Sequence, residues 1–250
     1  MKIAVCVKQV PDTETKIKIN DDKKWIREEE INFILNPYDE IGVEEALRLK
    51  ETHGGEVTII SLGPDRITSA IRSALAMGAD NAIHIKTDQN PFDPMVIAQG
   101  LSQTLREGNY DLILTGKQAI DDDHAQIPAL LSEILNLPAI TVVTKLEIKG
   151  RDVEAERQIE GGFEKVHCSL PAIISAQRGL NEPRYASLKG IMAAKRIPIQ
   201  EKKIICTKNQ IEIIEINYPP QKPPGKIVGE GPFAVPELLR LLHEEAKVLT

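Results

Sequence analysis

Short apolar runs alternate with segments of helical periodicity through the first half of the chain, and this alternation constrains the fold more than any other feature. Each run is largely apolar, as expected of a strand buried on both faces of a parallel sheet, and the four occupy residues 2–7, 57–62, 81–85 and 111–115. Between them, apolar residues recur at helical spacing, as in Ile67, Ala70, Ile71, Ala74 and Leu75. We therefore predict an α/β fold with a Rossmann-like, open, mostly parallel sheet and helices on both faces.

The second half changes character, because strand-like runs follow one another with little room for helices between them. They occupy residues 139–148, 152–159, 164–168 and 172–176. Gly150-Arg151-Asp152 and Glu160-Gly161-Gly162 are predicted turns between the first three runs. Strands joined by such short turns pair antiparallel, so we predict an antiparallel, partly solvated extension that includes all four runs.

From about Gln177 the sequence is typical of an arm rather than of a core. A short helix is predicted at residues 188–195, and prolines at 219–220 and 223–224 break any regular element. An apolar stripe follows at Val235, Leu238, Leu239 and Leu242. Since so long an irregular connection is uncommon in a compact domain, we predict an α/β domain over residues 1–195 and a C-terminal arm over residues 196–250 that packs on another subunit.

Charge and cysteine content narrow the class of protein. Lys and Arg number 31 against 37 Asp and Glu, a formal net charge of −6, whereas a general nucleic-acid binder carries a strong basic surplus. The apolar runs are shorter than the roughly 18–20 residues of a membrane-spanning helix, and the first residues do not resemble a secretory signal. Cys6, Cys168 and Cys206 are too few and too far apart to indicate a disulfide framework or a CxxC metal site. We expect a cytoplasmic protein that does not bind nucleic acid.

The most informative segment is residues 116–126, which follow the fourth predicted strand and open a helix. Such a loop lies at the carboxyl edge of the sheet, where α/β proteins bind ligands, and a helix N-terminus offers free N–H groups to a phosphate. We expect one of Asp121, Asp122 and Asp123 to cap this helix and another to accept a hydrogen bond from a ribose hydroxyl. Lys117 offsets part of their charge.

The same segment leaves other interpretations open. It can be an acidic helix start on a solvated loop, since it matches neither a GxGxxG nor a Walker pattern. A divalent-metal site at the aspartates and His124 is disfavoured, because consecutive carboxylates rarely converge on one ion. No nucleophile signature accompanies the histidines, so we expect neither catalytic residues nor a metal. Cys6, within the first strand, is expected to be a small buried apolar side chain.

Several motifs, in order, resemble the β subunit of electron-transfer flavoproteins. Residues 116–123 carry the resemblance together with Asn36-Pro37-Tyr38-Asp39-Glu40 and residues 74–80, and residues 153–176 and 180–186 resemble the signature segments of that family. The match is collinear from residue 2 to about residue 195 and loose beyond residue 202.

The resemblance implies a heterodimer that binds two nucleotides. An α subunit carries the redox-active FAD and receives the arm of the β subunit. The β subunit holds AMP in most relatives and a second FAD in an electron-bifurcating branch. Carried over position by position, the implied nucleotide-binding residues are Cys6, Asn36, Pro37, Tyr38, Asp39, Leu62, Gly116, Lys117, Gln118, Ala119, Ile120, Asp121, Asp122, Asp123, His124, Ala125, Gln126 and Ile127. At Cys6 the backbone can touch adenine while the side chain stays in the core.

The loop departs from both branches at His124-Ala125-Gln126-Ile127. AMP-type relatives follow the three aspartates with a small residue, Asn, Gln and Thr, whereas bifurcating relatives read Asp-Gly-Asp-Thr-Ala-Gln. Asp122 stands where the second pattern has Gly, which removes a position of free φ beside a pyrophosphate. We therefore favour AMP and keep a second FAD as the alternative.

The resemblance also implies a recognition loop near residues 184–195, in which Leu188 anchors into a pocket on partner dehydrogenases. Arg184, Tyr185 and Lys189 belong to the same predicted surface. One exposed apolar side chain with basic neighbours suits weak, fast docking. Otherwise Leu188 packs against Ile191 and Met192 in its own subunit.

The implied function is electron transfer from acyl-CoA or other flavin dehydrogenases, as in fatty acid β-oxidation, to a membrane quinone oxidoreductase. Two alternatives remain open. One is flavin-based bifurcation from NADH, and the other is a stress-type sensor that binds an adenine nucleotide. The arm after Gln177 disfavours the sensor, which would end shortly after its sheet.

Overall fold

A nine-stranded sheet is the centre of the computed structural model, which describes residues 1–88, 92–204, 209–221 and 224–249. Cys206 and Pro223 lie outside these ranges. The chain divides into two compact units, Met1–Ile214 and Glu215–Thr250, and the sheet belongs to the first.

The strands of the large sheet are β1 Lys2–Cys6, β4 Glu56–Gly63, β5 Asn81–Lys86, β6 Leu112–Gly116, β7 Ala139–Lys149, β8 Asp152–Ile159, β9 Gly162–Ser169, β10 Ala172–Ala176 and β11 Ile199–Lys203. Their order is β11-β5-β4-β1-β6-β10-β7-β8-β9. Neighbours from β11 to β7 pair parallel, whereas β7, β8 and β9 pair antiparallel. The predicted mostly parallel sheet with an antiparallel extension is confirmed. Two further strands, β2 Gln9–Pro11 and β3 Phe33–Leu35, form a separate antiparallel pair.

Helices cover both faces of this sheet. Their bounds are α1 Pro37–His53, α2 Thr68–Met77, α3 Pro94–Gly108, α4 Ile127–Leu135, α5 Leu188–Ala194 and α6 Val235–Glu244. Side chains alternate along each strand, so Ile3 and Val5 of β1 pack in the core with residues of α1 and α2. Ala4 and Cys6 face the other way and pack with residues of α3 and α4. The predicted two-faced arrangement is confirmed.

Residues 172–176 do not pair as predicted. They form β10, which lies between β6 and β7, runs parallel to both and is buried along its whole length. The antiparallel expectation was wrong because β9 itself runs in the direction of β7 after the hairpin. Only Leu170 and Pro171 separate β9 from β10, so the chain keeps that direction. The hairpin thus replaces the crossover helix that parallel strands usually need.

The expected domain boundary after residue 195 also differs from the structure. β11 pairs with β5 over the register Ile199↔Ala82 to Lys203↔Lys86. The first compact unit continues to Ile214. The sheet therefore gains its last edge strand from residues that the sequence assigns to the arm.

The second unit contains a 3₁₀ turn, Pro232–Ala234, followed by α6. Val235, Leu238 and Leu239 of its predicted apolar stripe are exposed. That this stripe packs on another subunit stays a prediction. Across the described parts of the chain, none of the helices combines the length and apolar character that crossing a membrane requires.

Candidate functional site

A cavity opens at the carboxyl ends of β1, β4 and β6, on the face of the sheet that α3 and α4 cover. It holds about 770 Å³ of space, part of it open to solvent. The predicted residues that line it are Cys6, Asn36, Asp39, Leu62, Gly116, Lys117, Gln118, Ala119, Asp122, His124, Ala125, Gln126 and Ile127. Seven further residues line the cavity and were not predicted from the sequence: Val7, Lys8, Pro94, Ile97, Leu101, Thr115 and Pro128.

Five predicted residues lie beside the cavity rather than on its wall: Pro37, Tyr38, Ile120, Asp121 and Asp123. Pro37 begins α1, and the ammonium group of Lys117 lies 5.2 Å from the centre of the Tyr38 ring. The others support the loop between β6 and α4, as the next contacts describe.

Asn36 ties the start of α1 to this loop. It occupies the N-cap position, but within the described residues its side chain makes no capping bond. Instead its amide Nδ2 donates to Gln118 O at 2.9 Å, and its Oδ1 accepts from the Ile120 N–H at 3.2 Å. α1 begins at Pro37, and the Asn36 side chain hydrogen-bonds with the backbone of the loop instead of capping the helix.

Asp39 is a buried carboxylate that joins two strand ends. Its Oδ2 accepts from the Lys8 N–H at 2.7 Å, and its Oδ1 accepts from the Gly116 N–H at 2.9 Å. Burial raises the pKa of Asp39 to about 7, although these donors act in the opposite direction. A Cβ on Gly116 would collide with Asp39 Oδ1 and lie 2.7 Å from the Tyr38 Cβ, so this position requires glycine for close approach rather than for its φ.

The charge of the acidic run is partly offset by Lys8, which follows β1, and its carboxylates accept hydrogen bonds from neighbouring side chains. The Lys8 ammonium donates to Asp121 Oδ1 and to Asp122 Oδ2, both at 2.7 Å, and the Gln118 amide donates to Asp123. Burial would raise the pKa of Asp122, but the hydrogen bond and charge of Lys8 outweigh it and lower that pKa below its ordinary value. Three neighbouring aspartates are therefore compatible with an anion bound nearby.

None of the three aspartates caps α4, contrary to expectation. Gln126 occupies the N-cap position, and the His124 N–H donates to Asp122 Oδ1 at 3.1 Å. Asp123 and Ala125 have positive φ values of 50° and 54°, so the loop makes two left-handed turns before the helix begins. These turns separate the aspartates from the capping position. Asp122 is not among the residues of this loop described with a positive φ, which are 123 and 125.

The inner wall of the cavity is apolar. Leu62, Ile97 and Leu101 contribute side chains, and Cys6 lies at the end of β1. Burial, with a contribution from the charge of Asp39, raises the pKa of the Cys6 thiol to about 12. The thiol therefore stays protonated and unreactive, as expected of a small buried side chain.

The arrangement suits a ligand with one flat apolar end and one anionic end. The apolar wall accepts a ring system. At the other end, the first turn of α4 presents N–H groups, beside the Gln126 amide and Lys117. Pro128 in this turn lacks an N–H and so reduces the number of donors. Within the described residues, no three His, Cys, Asp or Glu side chains cluster in a way that could hold a metal.

The predicted recognition residues separate into two groups. Leu188 is the first residue of α5 and is 83% exposed, and Tyr185 is fully exposed. Lys189 is exposed as well. Leu188 is therefore not a core residue of its own subunit. Arg184 differs, because its guanidinium donates to Glu44 and Glu51 of α1.

Comparisons with known proteins point to one family. The model of the family described as "Electron transfer flavoprotein domain" matches residues 24–205. The electron transfer flavoprotein subunit beta of Bacillus subtilis is 42% identical over 259 residues, with 100% of both chains covered. The protein of the same name from Syntrophomonas wolfei is 40% identical, with 99% of this chain and 98% of its own length covered. The mitochondrial subunit beta of Arabidopsis thaliana is 39% identical over the full length of both chains. On these matches, the chain belongs to the electron transfer flavoprotein family, among its β subunits.

Proposed function

We propose that this chain is the β subunit of a heterodimeric electron transfer flavoprotein and holds AMP in the cavity at the edge of its sheet. An α subunit carries FAD, which supplies the redox chemistry when bound. The heterodimer takes electrons from acyl-CoA or other flavin dehydrogenases and passes them to a membrane quinone oxidoreductase. The observation that carries the nucleotide assignment is an apolar slot that ends at the first turn of a helix, beside an acidic loop in which Asp121 and Asp122 are paired with Lys8.

In this proposal, the residues of this chain bind the nucleotide. Leu62, Ile97 and Leu101 enclose the base and exclude water from it. The N–H groups at the start of α4 and the Gln126 amide donate to the phosphate. Lys8 pairs with Asp121 and Asp122 at 2.7 Å, which weakens the repulsion that these carboxylates would otherwise exert.

The side chain of Asp122 favours AMP over a second FAD in this proposal. Asp122 lines the cavity, and its carboxylate would meet the second phosphate group of a dinucleotide. Bifurcation from NADH, which needs the second FAD, is therefore the alternative. The family match favours electron transfer over a stress-type sensor.

The test is to release and count the nucleotides of the heterodimer purified with its α subunit. One FAD and one AMP per heterodimer are expected. Two FAD would replace the proposal with bifurcation, and a complex without flavin absorbance would support the sensor.

A charge variant tests the phosphate end of the site. Gln126→Glu places a carboxylate beside the phosphate and is expected to deplete AMP from the purified heterodimer. Gln103→Glu makes the same change at an exposed position of α3 away from the cavity and is expected to leave the AMP content unchanged. Equal AMP content in both variants would remove Gln126 from the site.

A further inference from the structure

Thr115 lines the cavity, and its hydroxyl forms no hydrogen bond with the described residues. It is the fourth residue of β6, and strand alternation places its side chain on the same face as Ile113, which packs in the core with Cys6 and Leu131. This is the face that α3 and α4 cover, and Thr115 lines the cavity there. Its hydroxyl therefore belongs to the inner wall rather than to the rim.

The Thr115 hydroxyl is buried and unpartnered. The residue is 4% exposed, and its Oγ1 finds no hydrogen-bond partner anywhere in the described ranges. A buried hydroxyl without a partner costs free energy, so such groups are rare unless something absent from the protein chain satisfies them.

Two neighbouring hydroxyls at the same end of the sheet, unlike that of Thr115, form hydrogen bonds within the chain. Ser175, which pairs with Thr115 across β10 and β6, accepts from the Val142 N–H at 2.9 Å. Ser61 of β4 donates to Val7 O at 2.8 Å. Both side chains are buried and hydrogen-bonded within the chain, whereas the Thr115 hydroxyl, which faces the cavity, has no partner among the described residues.

The surroundings of Thr115 decide which part of a nucleotide it meets. Leu62, Ile97 and Leu101 share the inner wall. A phosphate in such apolar surroundings would lose its hydration without a compensating charge. A purine base has apolar faces and a polar edge, so it fits beside these side chains and offers both donors and acceptors to a hydroxyl.

We propose that the Thr115 hydroxyl forms a hydrogen bond with the edge of the nucleotide base and makes the cavity selective for a base-bearing ligand. This inference rests on the proposed function, since it needs an adenine nucleotide in the cavity. A hydroxyl both donates and accepts, so it can serve either the amino group or a ring nitrogen of adenine. In this site, the Thr115 hydroxyl would recognise the base, and the N-terminus of α4 would bind the phosphate.

The test compares two ligands on the heterodimer after its bound nucleotide has been removed. AMP carries the base, and ribose 5-phosphate lacks it. Thr115→Val keeps the shape of the side chain but lacks the hydroxyl. It is expected to bind AMP about tenfold more weakly, which is the upper range for one neutral hydrogen bond, and to bind ribose 5-phosphate as the wild type does. Thr115→Ser, which keeps the hydroxyl, is expected to bind AMP like the wild type.

Thr104→Val is the matched control. Thr104 is equally buried, and its Oγ1 is also unpartnered among the described residues, but it does not line this cavity. Its replacement is expected to leave both affinities unchanged. In the nucleotide-free state, Thr115→Val is expected to melt at the same temperature as the wild type or higher, because an unsatisfied hydroxyl has been replaced by a methyl group.

Two results would overturn the inference. One is an unchanged AMP affinity in Thr115→Val, and the other is an equal loss for AMP and ribose 5-phosphate. If Thr115→Val does not assemble with its partner, the comparison of Thr115→Ala with Thr115→Ser replaces it. Failure of the wild-type heterodimer to bind AMP would instead refute the proposed nucleotide, which keeps the two proposals distinguishable.

Discussion

Arg184 and the buried Glu44 form a bidentate ion pair that joins the segment before α5 to α1. Arg184 Nε donates to Glu44 Oε2 at 2.7 Å, and Nη2 donates to Oε1 at 3.1 Å. The side chain of Glu44 is only 4% exposed, so this carboxylate depends on protein partners for its stability. Nη1 of Arg184 also donates to Glu51 at 2.6 Å. The pair therefore positions the backbone from which the exposed Leu188 projects.

Arg184→Met is expected to lower the free energy of unfolding by about 1–3 kcal/mol. It leaves a buried carboxylate with Arg48 as its remaining cation, at 2.9 Å. Urea denaturation measures the change. Arg178→Met, at an exposed arginine of the same segment, is expected to change the free energy by less than about 0.5 kcal/mol. Equal effects of the two variants would contradict a specific role for the pair.

The contribution of this pair also has a defined pH dependence. Burial raises the pKa of Glu44, but hydrogen bonds from Arg184 and Arg48 outweigh burial and hold that pKa below its usual 4.5. A lowered carboxyl pKa stabilises the fold fully above the unfolded value and loses this effect as the pH falls through the folded value. The difference between wild type and Arg184→Met should therefore be constant near neutral pH and shrink below about pH 4.5.

Gly116→Ala is expected to destabilise the fold by about 1–3 kcal/mol and to reduce nucleotide content. The added methyl group would collide with Asp39 and lie 2.7 Å from the Tyr38 Cβ, where the backbone of α1 leaves no room. Thermal unfolding and released nucleotide are the measurements. Gly162→Ala is the control, because nothing lies within 4 Å of a Cβ at that position. If Gly116→Ala is as stable as the control, the ends of β1 and β6, which Asp39 joins, can move apart without loss of stability.

Asp39 is expected to make stability fall as the pH rises from about 4 to 7. Its pKa is raised to about 7 by burial. The folded chain therefore binds more protons than the unfolded chain in this window, and the free energy of unfolding declines until Asp39 is ionised. Asp39→Asn should lack this decline. It should also be less stable overall, by about 1–3 kcal/mol, because one amide oxygen cannot serve two N–H donors.

Urea denaturation of both proteins at pH 5 and pH 8 measures the Asp39 effect. Asp152→Asn, at an exposed position of β8, provides the same change of charge without burial and should follow the wild-type pH dependence. If the free energy of unfolding of Asp39→Asn changes with pH as that of the wild type does, the Asp39 carboxyl is ionised throughout the window.

Leu188→Ala is expected to leave the melting temperature within about 1–2 °C of the wild type, because an 83% exposed side chain contributes little to the fold. We expect kcat/KM for reduction by a donor dehydrogenase to fall about tenfold or more, since burial of this side chain on docking is worth about 1.5–3 kcal/mol. Ile214→Ala, at another exposed aliphatic residue, should not change this rate. A lower melting temperature with an unchanged rate would refute the anchor.

Hydrophobic periodicity was enough to predict the parallel strands β1, β4, β5 and β6 and the helices between them, because burial on both faces leaves a continuous apolar run. It could not predict the partners of β10. The run 172–176 would be equally apolar in an antiparallel ladder, and its direction depends on how β9 leaves the hairpin. The assignment of residues 199–203 failed for a related reason, since Gln200, Glu201 and Lys202 resemble a solvated segment and reach the sheet only at its edge.

At the site, the sequence by itself determined the loop from Gly116 to Ile127, since a strand followed by a glycine and a helix start is a local pattern. The tertiary structure alone decided that Lys8 pairs with Asp121 and Asp122 and that Ile97, Leu101 and Thr115 line the cavity. A hydroxyl near the end of an apolar strand was the one local signal for Thr115. Lys8 and Asp121 are 113 positions apart, and parallel pairing of β1 with β6 brings their strand ends together. Such contacts arise from strand order, which local residue patterns do not encode.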